Sequence, residues 1–135
     1  MFIDHGAFAV GIDLNPERDN RWVVVGDFHA LQYADASVDV VYTNSLDHVF
    51  ELERVLAEVR RVLKLEGTFL VEMGLGTEEG GEPDFYEELS WKRSDELIER
   101  IRSAWFVLRH KTHFELPWKG VQALLEKDGS ESPLR

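Results

Sequence analysis

The sequence has 135 residues, 44% of them hydrophobic, which suits one folded domain and excludes disorder, because disorder needs low hydrophobicity together with high charge. The net charge of −11 disfavours binding to nucleic-acid backbones and to anionic lipid. Because the sequence holds no cysteine, no bilayer-spanning apolar stretch and no basic secretory leader, we expect a cytoplasmic protein without disulfides, thiolate metal sites or membrane contact.

Four apolar runs predict the strands of a buried sheet. They are residues 8–13 (FAVGID), 22–25 (WVVV), 38–43 (VDVVYT) and 68–73 (TFLVEM). Each run is short and is followed by turn-forming or polar residues. Their apolar residues are continuous rather than alternating, which is typical of strands covered on both faces in a parallel sheet.

Between the third and fourth strands the sequence predicts an amphipathic helix. Acidic residues come early and basic residues late on its polar face, which matches the helix dipole. Gly67 lies where the helix should stop. The resulting strand–helix–strand unit should be a right-handed parallel crossover. Its apolar stripe comprises Leu52, Val55, Leu56, Val59, Val62 and Leu63.

Residues 73–91 contain four glycines, one proline and many acids, so we expect mostly loop there. A short helix should then begin at Ser94, which can act as its N-cap, with Asp95 and Glu96 in the first turn. The apolar face of this helix would comprise Leu97, Ile98, Ile101 and Trp105.

Two final strands are predicted at residues 105–114 and 121–125. The connection between them, residues 117–120 (PWKG), is short enough that the two strands should be antiparallel. We therefore expect one α/β domain over residues 1–127, followed by a flexible tail over residues 128–135.

The order of these pieces resembles the class I S-adenosylmethionine-dependent methyltransferase family. Three stretches carry the resemblance, namely GIDLNP at residues 11–16, GDFHALQYADASVDVVYTNSLDHV at 26–49 and RVLKLEGTFLVEM at 61–73. Each stretch alone is weak, and their order and spacing make the match specific. The resemblance implies a Rossmann-like sheet that is mostly parallel and ends in an antiparallel hairpin, with ligands bound beyond the carboxyl ends of the strands.

The first motif of that family does not occur in residues 1–10 (MFIDHGAFAV). This motif is a strand followed by a Gly-x-Gly-x-Gly loop and a helix, which let the backbone approach the methionine end of the cofactor. The resemblance thus implies a truncated domain whose first strand and first helix are missing or incomplete. The missing strand normally lies between those ending at Asp13 and Thr43, so we expect exposed strand edges and a homodimer formed through them.

The resemblance assigns cofactor-binding roles to residues that close the strands. Asp13 matches the acid that accepts hydrogen bonds from both ribose hydroxyls, for which a carboxylate has two acceptor oxygens. Asp27 matches the acid that contacts the adenine amino group, and Phe28 would supply a backbone N–H and a wall for the ring. Asp13 and Asp27 also suit an ordinary strand-ending turn, and Thr43 and Asn44 suit ordinary strand capping. The other members of the predicted S-adenosylmethionine site are Leu14, Thr43 and Asn44.

His48 is the candidate general base, since it follows the third strand and an imidazole titrates near neutrality. The alternative is a histidine packed at the start of a helix. The resemblance places substrate contacts in residues 73–91, where Phe85, Tyr86 and Trp91 would line a pocket. No metal site is predicted.

Three functions are compatible with these patterns. The first is methyl transfer from S-adenosylmethionine to an oxygen, nitrogen or carbon nucleophile of a small molecule, by this chain or by a longer protein that contains it. The second is a non-catalytic methyltransferase-like module that self-associates or pairs with a partner. The third is another Rossmann-type nucleotide-binding domain that uses Asp13 for a different ribose.

Overall fold

The computed structural model describes residues 8–13, 23–46, 49, 51–74, 83–116 and 119–129, with only the backbone described for residues 83–92. Two helices and six strands lie within these ranges, and we number them in chain order. They are β1 (Gly11–Asp13), β2 (Val23–Val25), β3 (Val38–Thr43), α1 (Leu52–Val62), β4 (Leu63–Gly74), α2 (Pro83–Ser103), β5 (Phe106–Phe114) and β6 (Gly120–Lys127).

The strands form two sheets. β1 pairs with β2 in parallel, with Asp13 opposite Val25. The second sheet has the order β3-β4-β6-β5, in which β3 and β4 are parallel and the other neighbours are antiparallel. The predicted parallel crossover and the predicted antiparallel hairpin are therefore confirmed. In the described ranges no ladder joins β1 to β3, and the absence of the strand that the family normally places between them stays a prediction.

The junction between α1 and β4 is tighter than the sequence predicts. Leu63, which we expected in the helix, has the extended backbone of a strand, and its N–H donates to the carbonyl oxygen of Val59. The ladder with β3 then jumps from Leu63, opposite Val38, to Thr68, opposite Val40. Residues 64–67 are thus an insertion in the parallel ladder rather than a turn before the strand.

Gly67 is needed in this insertion for steric reasons. A Cβ atom on Gly67 would lie 2.9 Å from the carbonyl oxygen of Lys64 and 3.2 Å from that of Asp39. Both neighbours are backbone atoms, so neither could move away cheaply. The residue expected to stop the helix therefore allows β3 and β4 to approach after the irregular segment.

The second helix begins much earlier than the sequence analysis predicts. α2 starts at Pro83, and Ser94, the predicted N-cap, is instead buried inside the helix with 3% of its surface exposed. Proline suits the first helical position, because its missing N–H has no partner there, and Asp84 follows in the first turn. The prediction of loop through residue 91 was therefore wrong over its second half.

The rest of the predicted apolar face of α2 is largely confirmed. Leu97, Ile98 and Ile101 are buried against the sheet. Trp105 lies beyond the helix in the turn before β5, with a φ of 70°. Its N–H donates to the carbonyl oxygen of Arg102, so this left-handed residue closes the helix instead of extending its face.

One hydrophobic core joins α1, α2 and the second sheet. Both helices pack on the same face of this sheet, since most of the apolar stripe of α1 and the buried apolar residues of α2 belong to one cluster. Within it the Phe69 and Phe106 rings are tilted by 49° with their centroids 5.3 Å apart. The sheet contributes Leu63, Phe69, Val71, Met73, Phe106, Val121, Ala123 and Leu125 to this cluster.

The first residue of the predicted tail is held by the domain. The N–H of Asp128 donates to the carbonyl oxygen of Trp105 at 2.9 Å, and its own carbonyl accepts from Arg60 at 3.1 Å. Residues 130–135 lie outside the described residues, so flexibility of the tail stays a prediction.

We predict that Leu56→Ala lowers the free energy of unfolding by about 2–5 kcal/mol, because the Leu56 side chain is fully buried in the core. Leu65→Ala removes the same atoms from a side chain that is 62% exposed, and should change stability by less than about 0.5 kcal/mol. Urea denaturation of the two variants measures the difference. Equal losses would contradict the placement of α1 on the sheet.

Candidate functional site

The carboxyl ends of β1 and β2 meet side by side. The N–H of Gly26, just after β2, donates to the carbonyl oxygen of Asp13 at 2.9 Å. A Cβ atom on Gly26 would lie 2.6 Å from Gln32 Oε1 and 2.7 Å from Ile12 Cγ2, so a side chain there would push the strands apart. This close approach places the exposed Asp13 next to the turn that begins at Asp27.

The Asp27 turn is closed by its own backbone and carboxylate. The N–H of Ala30 donates to the carbonyl oxygen of Asp27 at 3.0 Å. The N–H of His29 donates to Asp27 Oδ1 at 2.9 Å, and His29 Nδ1 lies 2.7 Å from the same oxygen. These contacts hold the pKa of Asp27 below its ordinary value of 3.8, with the His29 N–H as the main cause.

Phe28, the next member of the predicted site, anchors this turn. Its side chain is partly buried and packs against the core that joins the helices to the second sheet. The ring therefore links the β1–β2 unit to the rest of the domain. The predicted cofactor contacts of Phe28 stay a prediction.

Thr43 and Asn44 close β3, whose carboxyl end lies beside that of the parallel strand β4. Thr43 Oγ1 accepts a hydrogen bond from the N–H of Ser45 at 3.3 Å, which is the strand-ending contact that the sequence analysis gave as the alternative. Asn44 is exposed. Leu14 and His48 lie outside the described residues, as do the side chains of Phe85, Tyr86 and Trp91.

A group that the sequence analysis did not assign to the site lies under the loop from β2 to β3. Arg61 on α1 donates to the carbonyl oxygens of Leu31 and Tyr33 and to Asp35 Oδ1, at 2.8–2.9 Å. Glu58, one turn earlier, accepts the N–H of Leu31 at 2.7 Å. Glu58 and Arg61 are three residues apart, so the sequence places them on one face of α1. The sequence of a polar helix face does not reveal whether that face contacts solvent or a loop.

Glu58 and Arg61 also form an ion pair with each other. Arg61 donates to both carboxylate oxygens of Glu58 at 2.9 Å. This contact lowers the pKa of Glu58 and raises that of Arg61. Both residues therefore remain charged at neutral pH, as a paired and partly buried unit.

The described residues also form an open groove of about 370 Å³ at the opposite end of the sheet. One of its lining residues, Phe106, pairs with Lys127, and the neighbouring Glu126 pairs with Thr68 near the start of the regular ladder of β4. The groove thus lies far along the strands from Thr43 and contains no residue of the predicted cofactor site. Its lining comprises Glu99, Arg102, Ser103, Phe106, Val107, Leu108 and Asp128.

Across the described ranges no three histidine, aspartate or glutamate side chains come close enough together to hold a metal ion. None of the helices in the described part of the chain is long and apolar enough to cross a membrane.

Comparison with known proteins agrees with the resemblance. A family model described as a methyltransferase domain matches residues 1–71, which is more than half of the chain. No curated protein matches the sequence. The chain belongs to the methyltransferase domain family, the class I enzymes whose cofactor is S-adenosylmethionine.

Solved structures share the fold at low sequence identity. The PH0226 protein from Pyrococcus horikoshii OT3 is 19% identical with a TM-score of 0.68, and the match covers 93% of this chain and 74% of that one. A second structure is the 1,6-didemethyltoxoflavin-N1-methyltransferase of Burkholderia thailandensis, solved with 1,6-didemethyltoxoflavin and S-adenosylhomocysteine. It is 18% identical with a TM-score of 0.70, and the match covers 94% of this chain and 64% of that one.

A third structure is the complex from Haloferax volcanii between the Trm112 methyltransferase activator and a protein assigned as a methyltransferase. It is 19% identical with a TM-score of 0.59, and the match covers 84% of this chain and 64% of that one. The chain therefore spans about two thirds of the length of two of these structures and three quarters of the other.

We predict that Asp27 titrates below pH 3.8 in the folded chain, because two contacts from His29 favour the carboxylate. Since its folded-state pKa is depressed, the turn is stabilised above the unfolded-state pKa, and this contribution is lost as pH falls through the folded-state pKa. Carboxyl NMR titration measures it. His29→Ala should raise the pKa only in part, because the backbone N–H remains, and titration at or above 3.8 in the parent chain would contradict the turn geometry.

Proposed function

We propose that this chain forms the adenosine-binding part of an S-adenosylmethionine-dependent methyltransferase that acts on a small-molecule nucleophile. The observation that carries the proposal is the junction of β1 and β2, where the Gly26 N–H binds the Asp13 carbonyl. The junction brings an exposed carboxylate and the Asp27 turn to the carboxyl end of one parallel pair. This edge is where open α/β sheets bind their ligands.

Each acidic residue has a distinct part in this proposal. Asp13 would accept hydrogen bonds from the two ribose hydroxyls, since a carboxylate offers two acceptor oxygens. Asp27 would accept from the adenine amino group, beside the backbone N–H of Phe28. Because both contacts of Asp27 with His29 use Oδ1, the second oxygen is the one we assign to adenine. Leu14, Thr43 and Asn44 would complete the adenosine site.

The described residues at these strand ends suit one half of the cofactor. Carboxylates at strand ends suit the adenosine moiety, whereas the methionine moiety needs backbone N–H groups of a glycine-rich loop. Residues 1–10 hold no Gly-x-Gly-x-Gly sequence, and in the described part no strand pairs with β3 on the side away from β4. We infer that the described residues hold the adenosine end of the cofactor and that its methionine end lies against other residues.

When bound, S-adenosylmethionine supplies an electrophilic methyl group on sulfur. The chain's own residues would hold and orient the adenosine end, so that the sulfur is presented to a nucleophile from a fixed position. His48 is the candidate base that removes the proton of a hydroxyl or amine nucleophile.

A methyltransferase-like module that self-associates or pairs with a partner is the second candidate. The observation that favours it is β3, which lies at the edge of its sheet among the described residues and in which Val40 is 46% and Tyr42 41% exposed. Apolar side chains on an unpaired strand promote association. The Haloferax volcanii protein with this fold is found in a complex with an activator. Light scattering of the 135-residue chain separates a monomer from the homodimer that we predict.

We predict that the folded chain binds S-adenosylhomocysteine and that Asp13→Ala weakens binding at least tenfold. A hydrogen bond to a charged group contributes about 1.5–3 kcal/mol, and tenfold corresponds to about 1.4 kcal/mol. Asp39→Ala is the matched control, because Asp39 is also an exposed acid but lies near the amino end of β3, where it pairs with Lys64. Isothermal titration calorimetry measures all three proteins.

Two results would contradict this proposal. Equal affinities of the parent chain and Asp13→Ala would show that the ribose is held elsewhere. Binding of a nicotinamide dinucleotide without binding of S-adenosylhomocysteine would instead support the third function, a different nucleotide-binding domain. Failure of the parent chain to bind, with binding restored when a glycine-rich segment is added, would assign the adenosine site to the assembled protein alone.

A further inference from the structure

The backbone of Leu31 is held on both sides by one ion pair of α1. Its N–H donates to Glu58 Oε2 at 2.7 Å, and its carbonyl oxygen accepts from Arg61 at 2.9 Å. The two side chains thus satisfy both polar groups of a single loop residue. Glu58 supplies the acceptor and Arg61 supplies the donor. Exchanging the two residue types would therefore remove both contacts with Leu31.

Arg61 also contacts residues further along the loop. Its guanidinium also donates to the carbonyl oxygen of Tyr33 and to Asp35 Oδ1, both at 2.8 Å. The end of α1 adds backbone contacts, since the N–H groups of Ala36 and Ser37 donate to the last carbonyls of the helix. Only a planar guanidinium with several N–H groups can serve all these acceptors together.

Leu31, the loop residue that Glu58 and Arg61 hold, lies next to the Asp27 turn. Ala30 precedes Leu31 and is joined to Asp27 by an isolated antiparallel bridge, in which its N–H donates to the Asp27 carbonyl at 3.0 Å. On the other side of the turn, Gly26 is fixed to β1. A shift of Leu31 would therefore move Ala30 and, through the bridge, the Asp27 carboxylate.

Other helix pairs with the same spacing do not have this arrangement. Arg102 and Glu99 on α2 are 51% and 66% exposed, and Arg54 and Glu51 are 59% and 61% exposed. Exposed pairs of this kind contribute little to stability. Arg61 and Glu58 are only 32% and 20% exposed and contact the loop backbone directly. Their burial beneath the loop distinguishes them from a solvated ion pair.

We propose that Glu58 and Arg61 are positioning residues that fix the Asp27 turn in the conformation that receives the adenine ring. The proposal rests on the proposed function, in which Asp27 contacts adenine. Neither residue is assigned a contact with the cofactor. Their effect would reach the ligand through Leu31, Ala30 and Asp27.

The decisive variant reverses the pair, with Glu58→Arg and Arg61→Glu in one chain. An ion pair can still form on α1, but the residue beside the Leu31 N–H can no longer accept and the residue beside its carbonyl can no longer donate. The matched control reverses Glu99 and Arg102, which form a pair of the same spacing on α2 without contacting the loop. Binding of S-adenosylhomocysteine and of S-ribosylhomocysteine, in which a hydroxyl replaces the adenine, is measured by calorimetry.

We expect the parent chain and the control to prefer S-adenosylhomocysteine, and the reversed pair to lose about tenfold or more of that preference, as expected when contacts with a charged group are misplaced. A merely structural role would lower the folded fraction and weaken both ligands equally, leaving the ratio of the two dissociation constants unchanged. An unchanged ratio would therefore overturn the proposal.

Amide hydrogen exchange of the free proteins distinguishes the remaining failures. The Leu31 amide should exchange faster in the reversed pair than in the parent chain, while Leu70 and Leu124 in the β4–β6 ladder keep their rates. An unchanged exchange rate of the Leu31 amide would show that Glu58 and Arg61 do not hold the loop, and would overturn the proposal. A different result is that the parent chain binds neither ligand while the Leu31 amide exchanges faster in the reversed pair. That result would overturn the proposed function and the assignment of Asp27 to adenine, and would leave the contacts of Glu58 and Arg61 with the loop established.

Discussion

The packing of α1 against one face of the second sheet is the constraint on which the rest of the structure depends. Five residues of this helix are buried, and four of them belong to the same cluster as Phe69 and Val71 of β4. Burial of a leucine or valine side chain contributes roughly 1.5–3 kcal/mol, so this stripe is a large share of the stability of a small domain. It also fixes which way the polar face of α1 points, and that face holds the loop from β2 to β3.

The candidate site follows from this packing in three steps. The core places α1, and α1 holds the loop through Glu58 and Arg61. The loop carries Asp27, whose turn lies next to the end of β1. The site thus depends on contacts between elements that are distant in the sequence, with Leu31 and Glu58 separated by 27 positions.

The proposed site lies mainly at the smaller of the two sheets that the described residues form. β1 and β2 present two carboxylates at their ends, but the described part shows no ladder from β1 to β3. Strand ends suit the polar hydroxyls and amino group of adenosine, whereas the methionine end needs the N–H groups of a glycine-rich loop. The proposed function therefore assigns the described strand ends to the adenosine moiety of the cofactor.

Sequence periodicity predicted the elements whose pattern is local. α1, β3 and the antiparallel hairpin were found within a few residues, because apolar spacing and turn residues determine them directly. The start of α2 was missed, since the glycines before Pro83 suggested loop and outweighed the helix-start signal of the proline itself. The predicted site residues Asp13 and Thr43 are the last residues of β1 and β3, and Asp27 follows the end of β2 by two positions. The role of Arg61 could not be read, because a charged helix face looks the same whether it binds water or a loop backbone.

Mapping of S-adenosylhomocysteine onto the chain by amide chemical-shift changes tests the central claim most directly. The claim is that the carboxyl ends of β1, β2 and β3 form one adenosine site. The largest changes should occur at Asp13, at residues 26–28 and at residues 43–44, while Phe106 and Val107 in the groove at the opposite end stay unchanged. Changes confined to that groove, or spread evenly over the domain, would contradict the account.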